Sequence, residues 1–264
     1  MLKDIVISIQ SYYEAHAFIR KHHLWKWILI PGIIYTILFV VGMFFFWQSS
    51  NGAVTWLSRT IGLEAWLQQQ GNDLLSFFFM MTGLFLRLIL VFFYFSLFKY
   101  LFLIIGSPVF AYLSEKTEAI LEGKDFPFSL PQLLHDAWRG TRLALRNMLW
   151  QTVYTLALVL LSLVPVIGWI SPLIALFVEC FYYGFSMVDY SCERNKLSMP
   201  ESIDFISKHR GLAVGNGLVF YLMHGIVIVG WIAAPAYAVV AATLSVHKIK
   251  TPLSSRPALS HTKH

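Results

Sequence analysis

Charge is scarce in this sequence: Asp, Glu, Lys and Arg make up 13% of its 264 residues, half the roughly 25% of a soluble domain. That scarcity excludes an ordinary water-soluble enzyme. Cysteine is scarcer still, with two residues, Cys180 and Cys192. They have neither a metal-ligand spacing nor the density of a disulfide framework, so free thiols facing a reducing compartment are expected. Also missing at workable spacing are a Ser-His-Asp set, a metal motif and a phosphate loop. No basic run with interleaved aromatics offers a nucleic-acid face. Enzymatic activity, a bound cofactor, a metal and a nucleic-acid partner are therefore not expected. His16, His22 and His23 lack a Cys or carboxylate pattern around them and read as interfacial residues, and His224 reads as a hydrogen-bonded packing residue.

What the chain has instead is apolar surface. Hydrophobic residues make up 57% of it, including 22 Phe, 12 Tyr and 9 Trp, a composition suited to lipid as the main solvent. No cleavable signal peptide is expected, since the first long apolar run begins after Lys26 and no small-residue cleavage site follows. From Trp27 to Trp47 there is no charge, enough helix for about 30 Å of hydrocarbon. A second run, Leu74 to Phe98, holds only Arg87 and ends at Lys99, with helix continuing toward Ile105. The uncharged stretches 147–178 and 212–246 are too long for one helix each. Gly168, Pro165 and Pro172 break the first, and Gly230 and Pro235 the second, so both read as hairpins. Arms of about 16 to 18 residues, roughly 25 Å, are marginal for crossing.

The reading is an all-α integral membrane protein, one membrane domain over 1–250. It has two long transmembrane helices at about 27–48 and 74–105, and cytoplasmic or interfacial helices over 108–147. Two short, partly inserted hairpins follow at about 147–189 and 212–246, with an amphipathic N-terminal helix at 5–23 and a disordered tail at 251–264. Of the 20 basic residues, Arg59 alone lies in the 49–73 loop and Arg87 alone within a span. The positive-inside bias then makes that loop external and both termini cytoplasmic, in a multi-pass protein. The 131–147 helix, where Leu133, Leu134, Ala137, Trp138 and Leu145 alternate with Arg139, Arg142 and Arg146, reads as a basic interfacial helix. Val6, Ile9, Tyr13 and Ala17 mark the apolar face of the N-terminal one.

A weak repeat runs through the chain: Gly106-Ser107-Pro108, Gly168-Trp169-Ile170-Ser171-Pro172 and Gly230-Trp231-Ile232-Ala233-Ala234-Pro235. These are either compact turns and helix starts, or helix N-termini whose free amides meet at an anion pathway.

In order and spacing these landmarks resemble the CysZ sulfate-permease family and its eukaryotic relatives, the etoposide-induced 2.4 proteins, from about Tyr12 to Thr243. Three places carry the resemblance. Gly106-Ser107-Pro108 precedes an acidic helix with Glu115 and Glu118. Val164 to Gly168 runs through Pro172 to Asp189-Tyr190, Glu193 and Arg194. Lys208 to Arg210 precedes Gly217, Pro235 and Ala242-Thr243. The resemblance implies two long spanning helices, two partly inserted hairpins and a homo-oligomer in the lipid bilayer. For the sulfate-transporting branch it also implies passive entry of sulfate for sulfur assimilation. The alternative, similar to the eukaryotic relatives, is a non-transporting protein that shapes membrane or recruits partners. Sulfate permeases typically carry a Gly and paired arginines before the Leu-Pro of the first span. Here the stretch is His23-Leu24-Trp25-Lys26 before Ile30-Pro31, and Phe110 replaces a polar residue.

The anion-binding candidates are accordingly His23, Lys26, Gly106 and Ser107, with Lys26 also readable as a topological anchor. Arg87 and Glu179, ionisable within membrane segments, read as an intramembrane ion pair or as groups reaching a polar spot. Counted inward from Lys99 and Asp189 as boundary residues, both lie roughly 15 to 18 Å deep.

Overall fold

A computed structural model describes residues 1–60, 73–124, 129–164, 166–226 and 228–250. Residues 61–72 of the expected 49–73 loop and the whole 251–264 tail fall outside the described residues, and residues 49–60, expected in that loop, continue the helix of the first span to Thr60. Every regular element among the described residues is helical. In chain order these are α1 (Leu2–Lys21), α2 (Trp25–Thr60), α3 (Asp73–Glu122) and α4 (Leu130–Ser162). A short 3-10 turn (Ile167–Ile170) leads into α5 (Ser171–Arg194), followed by α6 (Met199–Lys208), α7 (Arg210–His224) and α8 (Val229–Lys250). Five segments are long and apolar enough to cross a membrane: Trp25–Phe46, Ser96–Glu122, Leu134–Ser162, Gly168–Arg194 and Val229–Lys250.

The long runs form one-sided helices. On α2, Ile28, Tyr35 and Phe39 are buried while Ile30, Ile33, Ile37, Val40, Phe44 and Phe45 face outward. An outward apolar face of that length is the one lipid covers. The centre of the molecule is α8, buried continuously from Ala234 to Val246 and packed on α2, α3, α5 and α7. Its alanines let backbones approach closely, as lipid-embedded packing favours. The α5–α7 crossing is tight: a Cβ on Gly184 would collide with the Ala213 carbonyl oxygen, and one on Gly217 with that of Cys180. No side chain larger than hydrogen fits at either place.

Helix α3 does not stop near Ile105 but runs on through Pro108 to Glu122. Proline leaves the carbonyl four residues back without its amide partner, and here the Ser107 hydroxyl donates to that Ile104 oxygen at 2.9 Å. A serine beside the proline thus lets an interrupted ladder continue. Likewise α4 is one helix from Leu130, not an interfacial helix followed by a separate hairpin arm. The expected 131–147 helix is its first half, with Leu134, Trp138 and Leu145 exposed. Gly106-Ser107-Pro108 lies mid-helix and Pro235 lies inside α8, so only the 168–172 break, where Ser171-Pro172 opens α5, places both small residue and proline at a helix start.

Helix α1 docks on α7 and α8 by a face other than the apolar one read from sequence. Ser8, Ser11, Tyr12, Ala15 and Ile19 are buried, whereas Val6, Ile9 and Tyr13 are exposed. Tyr12 donates to the Asn216 carbonyl at 2.8 Å, and His16 Nδ1 lies 2.7 Å from the Tyr237 hydroxyl. Small and hydrogen-bonding residues face protein, and the greasy stripe is left for lipid.

Candidate functional site

Two knots of charge hold the spanning helices together. The inner one centres on Lys99 of α3 and Glu179 of α5, whose side chains are 5% and 3% exposed. The Lys99 ammonium donates to Glu179 Oε2 at 2.7 Å and to Gln151 Oε1 of α4 at 2.9 Å. Tyr100 donates to the same Gln151 oxygen at 2.7 Å, and Tyr221 of α7 donates to Glu179 Oε2 at 2.7 Å. Gln151 Nε2 closes the ring by donating to Glu179 Oε1. Each acceptor is used and the charges cancel, which is what a buried pair needs if it is not to be costly.

Beside this ring lies a small cavity of about 120 Å³ walled by Tyr35, Phe39, Phe98, Phe220, Tyr221 and His224, with Lys99 and Glu179 at its polar end. The Tyr35 hydroxyl and His224 Nε2 are hydrogen-bonded at 2.6 Å. The space equals that of roughly four liquid waters. Its chemistry suits a small polar solute only conditionally. An oxyanion gains the Lys99 ammonium when Glu179 gives it up, because a carboxylate and an anion cannot share one cation in so little water.

The outer knot ties α3, α4, α5 and α6. Arg139 forks onto Asp189 at 3.0 and 3.1 Å and lies 3.4 Å from Glu193. Arg194 lies 3.0 Å from Glu115 and also pairs with Asp136, while Ser202 donates to Asp189. The planar fork of arginine gives such pairs geometric definition. His135, Asp136 and Glu193 bring ligand atoms within 4.8 Å of one another. Both carboxylates already face guanidinium groups, so this cluster is better suited to holding helices than a metal.

His23, with φ of 53°, sits in the exposed turn between α1 and α2, and Lys26 is exposed on the first turn of α2. Gly106 and Ser107 are buried inside α3. A Cβ on Gly106 would meet the Phe110 ring at 2.6 Å, and the Ser107 hydroxyl is already spent on Ile104. Glu179, read from sequence opposite Arg87, is bonded by Lys99, Gln151 and Tyr221. Arg87 stands twelve residues from Lys99 on the same helix, about 18 Å along its axis, and its side chain lies outside the described residues. Lys99 is buried and its helix continues past it to Glu122, so it gives no fixed origin from which to count depth. The sequence signal is present: the run from Tyr100 to Ser114 is as free of charge as the one before Lys99.

A bundle of apolar helices around a neutralised, cavity-lined ion pair defines a polytopic α-helical membrane protein with a polar interior. More particularly, the chain belongs to the family described as Sulfate transporter CysZ/Etoposide-induced protein 2.4, which it matches over residues 12–235. Curated relatives include a "Sulfate transporter CysZ" of Pseudomonas aeruginosa PAO1, 31% identical over 175 residues, covering 65% of this chain and 70% of the relative. One from Pseudomonas fluorescens Pf0-1 is 26% identical over 220 residues, covering 82% and 83%. Another from Pseudomonas syringae pv. tomato DC3000 is 30% identical over 168 residues, covering 63% and 66%.

Proposed function

We propose that this protein passes sulfate across a bacterial inner membrane down its gradient, as a homo-oligomer with both termini in the cytoplasm. Family membership and the names of the relatives support the substrate. The observation that carries a route through this chain is the buried Lys99–Glu179 pair at the end of a small cavity. In this reading Lys26 and His23 draw the dianion to the mouth, Gly106 and Ser107 let α3 bend and pack there, and the Lys99–Glu179 latch opens as the ion passes. No nucleotide or cofactor takes part. The hairpin tips, which expose Leu163, Val164 and Val166 at one turn and Ile226, Ile228 and Val229 at the other, stay within the lipid.

Radiolabelled sulfate uptake into proteoliposomes tests this reading. Uptake above that of empty vesicles, competed by related oxyanions and reduced in Lys26→Ala, is the expected result. No flux from correctly folded protein would favour the non-transporting alternative.

A further inference from the structure

Away from the ion-pair cavity, the outer surface carries a groove of about 360 Å³ between α4 and α5 that is polar at one end and aromatic along its length. The polar end holds Arg146 of α4, Arg210 at the start of α7 and Ser207 of α6. Arg146 donates one bond, to Asn147 Oδ1 at 3.1 Å, and Arg210 one, to the Ser207 carbonyl at 3.0 Å. A guanidinium has five N–H groups, so most remain uncommitted. Among the described residues neither arginine enters an ion pair. Asp204, on the helix that carries Ser207, is taken by Lys208 at 2.6 Å.

Below the arginines the groove is built at helical spacing. Trp150 and Tyr154 follow Arg146 at four-residue steps, and Phe181 and Phe177 follow Phe185 at the same step along the antiparallel α5. Eight residues of helix carry these walls about 12 Å into the apolar layer. Trp150, Tyr154 and Phe177 remain 50%, 48% and 48% exposed, so the chain itself leaves the groove uncovered.

We infer that this groove binds an anionic phospholipid, with its phosphate between Arg146 and Arg210 and an acyl chain along the aromatic walls. Two unneutralised guanidinium groups at a membrane boundary match a lipid phosphate in charge and fork geometry. A free phosphate would use the arginines but leave the roughly 12 Å apolar wall bare. Charge at one end and aromatic wall running inward from it is the order met along a lipid from headgroup to chain.

The test uses the purified, delipidated full chain, measuring retained lipid by native mass spectrometry and the thermal midpoint with phosphatidylglycerol, phosphatidylcholine or inorganic phosphate. Phosphatidylglycerol should stay bound and raise the midpoint, with retention falling about fivefold for each arginine removed in R146Q and R210Q. Arg210 is exposed, so R210Q keeps the core intact and isolates its contact with the lipid. Equal retention of phosphatidylcholine, or the same midpoint shift from inorganic phosphate, would overturn the assignment. So would R146Q/R210Q protein that keeps its lipid but loses oligomer mass, since a second copy of the chain would then be the occupant.

Discussion

Replacing Glu179 by Gln should damage the protein more than replacing Lys99 by Met, and the two together should damage it least. Glu179 Oε2 accepts from Lys99 and Tyr221 while Oε1 accepts from Gln151. In Glu179→Gln one of those oxygens becomes an NH2. Placed at Oε1 it faces the Gln151 amide nitrogen, donor against donor; placed at Oε2 it faces the Lys99 ammonium. Turning the Gln151 amide over gives no escape, because its oxygen already receives Lys99 and Tyr100. An unpaired buried charge with frustrated neighbours belongs at the upper end of the range for breaking such a pair, about 5 kcal/mol.

Lys99→Met leaves the carboxylate with two donors in place, so its cost falls nearer about 3 kcal/mol. In the double variant the oxygen of the introduced amide receives the Gln151 amide, and its NH2 donates to the Tyr221 oxygen. Tyr100 keeps its bond to Gln151. No buried charge and no donor-against-donor contact then remains, only the Tyr221 O–H without its former acceptor, and the cost should drop to about 1 kcal/mol, the net worth of a hydrogen bond. Unfolding free energies from SDS titration in mixed micelles measure all three. A coupling of several kcal/mol is expected. Additivity of the two single changes within about 0.5 kcal/mol would refute the ring of hydrogen bonds.

Other outcomes follow from single local features. Val166 and Ile228, at the two hairpin turns, sit at φ of 70° and 67°, where β-branched residues are strained. They are 58% and 59% exposed, so little packing is lost in Val166→Gly or Ile228→Gly, and each should raise stability by about 1 kcal/mol in the same titration. Ser107→Ala should cost about 1 kcal/mol by leaving the Ile104 carbonyl unpaired beside Pro108, with hydrogen exchange faster around that turn of α3. At the start of α6, Ser198 and Glu201 form a capping box, and hydrogen bonds from the Ser198 side chain and backbone lower the Glu201 pKa from the usual carboxylate value. A lowered folded pKa stabilises the helix above the unfolded value and is lost as pH falls through the folded one. Amide exchange in α6 should therefore quicken through the acidic carboxylate range, and Ser198→Ala, which removes the side-chain bond and keeps the backbone one, should weaken that pH dependence without abolishing it.

How much of this is legible in the sequence depends on which force sets each feature. Apolar run length and charge-free stretches point to the helical membrane class and the first span, because hydrocarbon permits few alternatives. The end of α3 and the first half of α4 are misplaced because proline and arginine ordinarily mark boundaries. Here Ser107 repairs the ladder at Pro108, and Arg139 is drawn into the outer knot by Asp189. The face of α1 is misjudged for a related reason. Hydrophobic periodicity finds the side that avoids water, and in a membrane that side faces lipid as readily as protein. Lys99 reads as a boundary anchor because a lysine that closes an apolar run usually is one. Its partners lie 52 and 80 residues away in Gln151 and Glu179, a separation that no local pattern carries.

The placement of charge also bears on how the proposed passive route would release what it attracts. Within the bundle, Lys99, Arg139 and Arg194 are each matched by carboxylates. Among the described residues, uncommitted positive charge lies at exposed positions such as Lys26 and Arg210. A dianion meeting an unpaired lysine in a cavity of about 120 Å³ would be held by a strong, poorly screened attraction, and a site that binds too well does not conduct. Pairing Lys99 with Glu179 removes that trap. On the proposed route the ammonium would be lent to a passing anion only while the carboxylate stands aside, and the returning carboxylate would displace the ion. Attraction at the mouth would then set how often an anion enters, and the strength of the Lys99–Glu179 ring how quickly it leaves, if the proposed route holds.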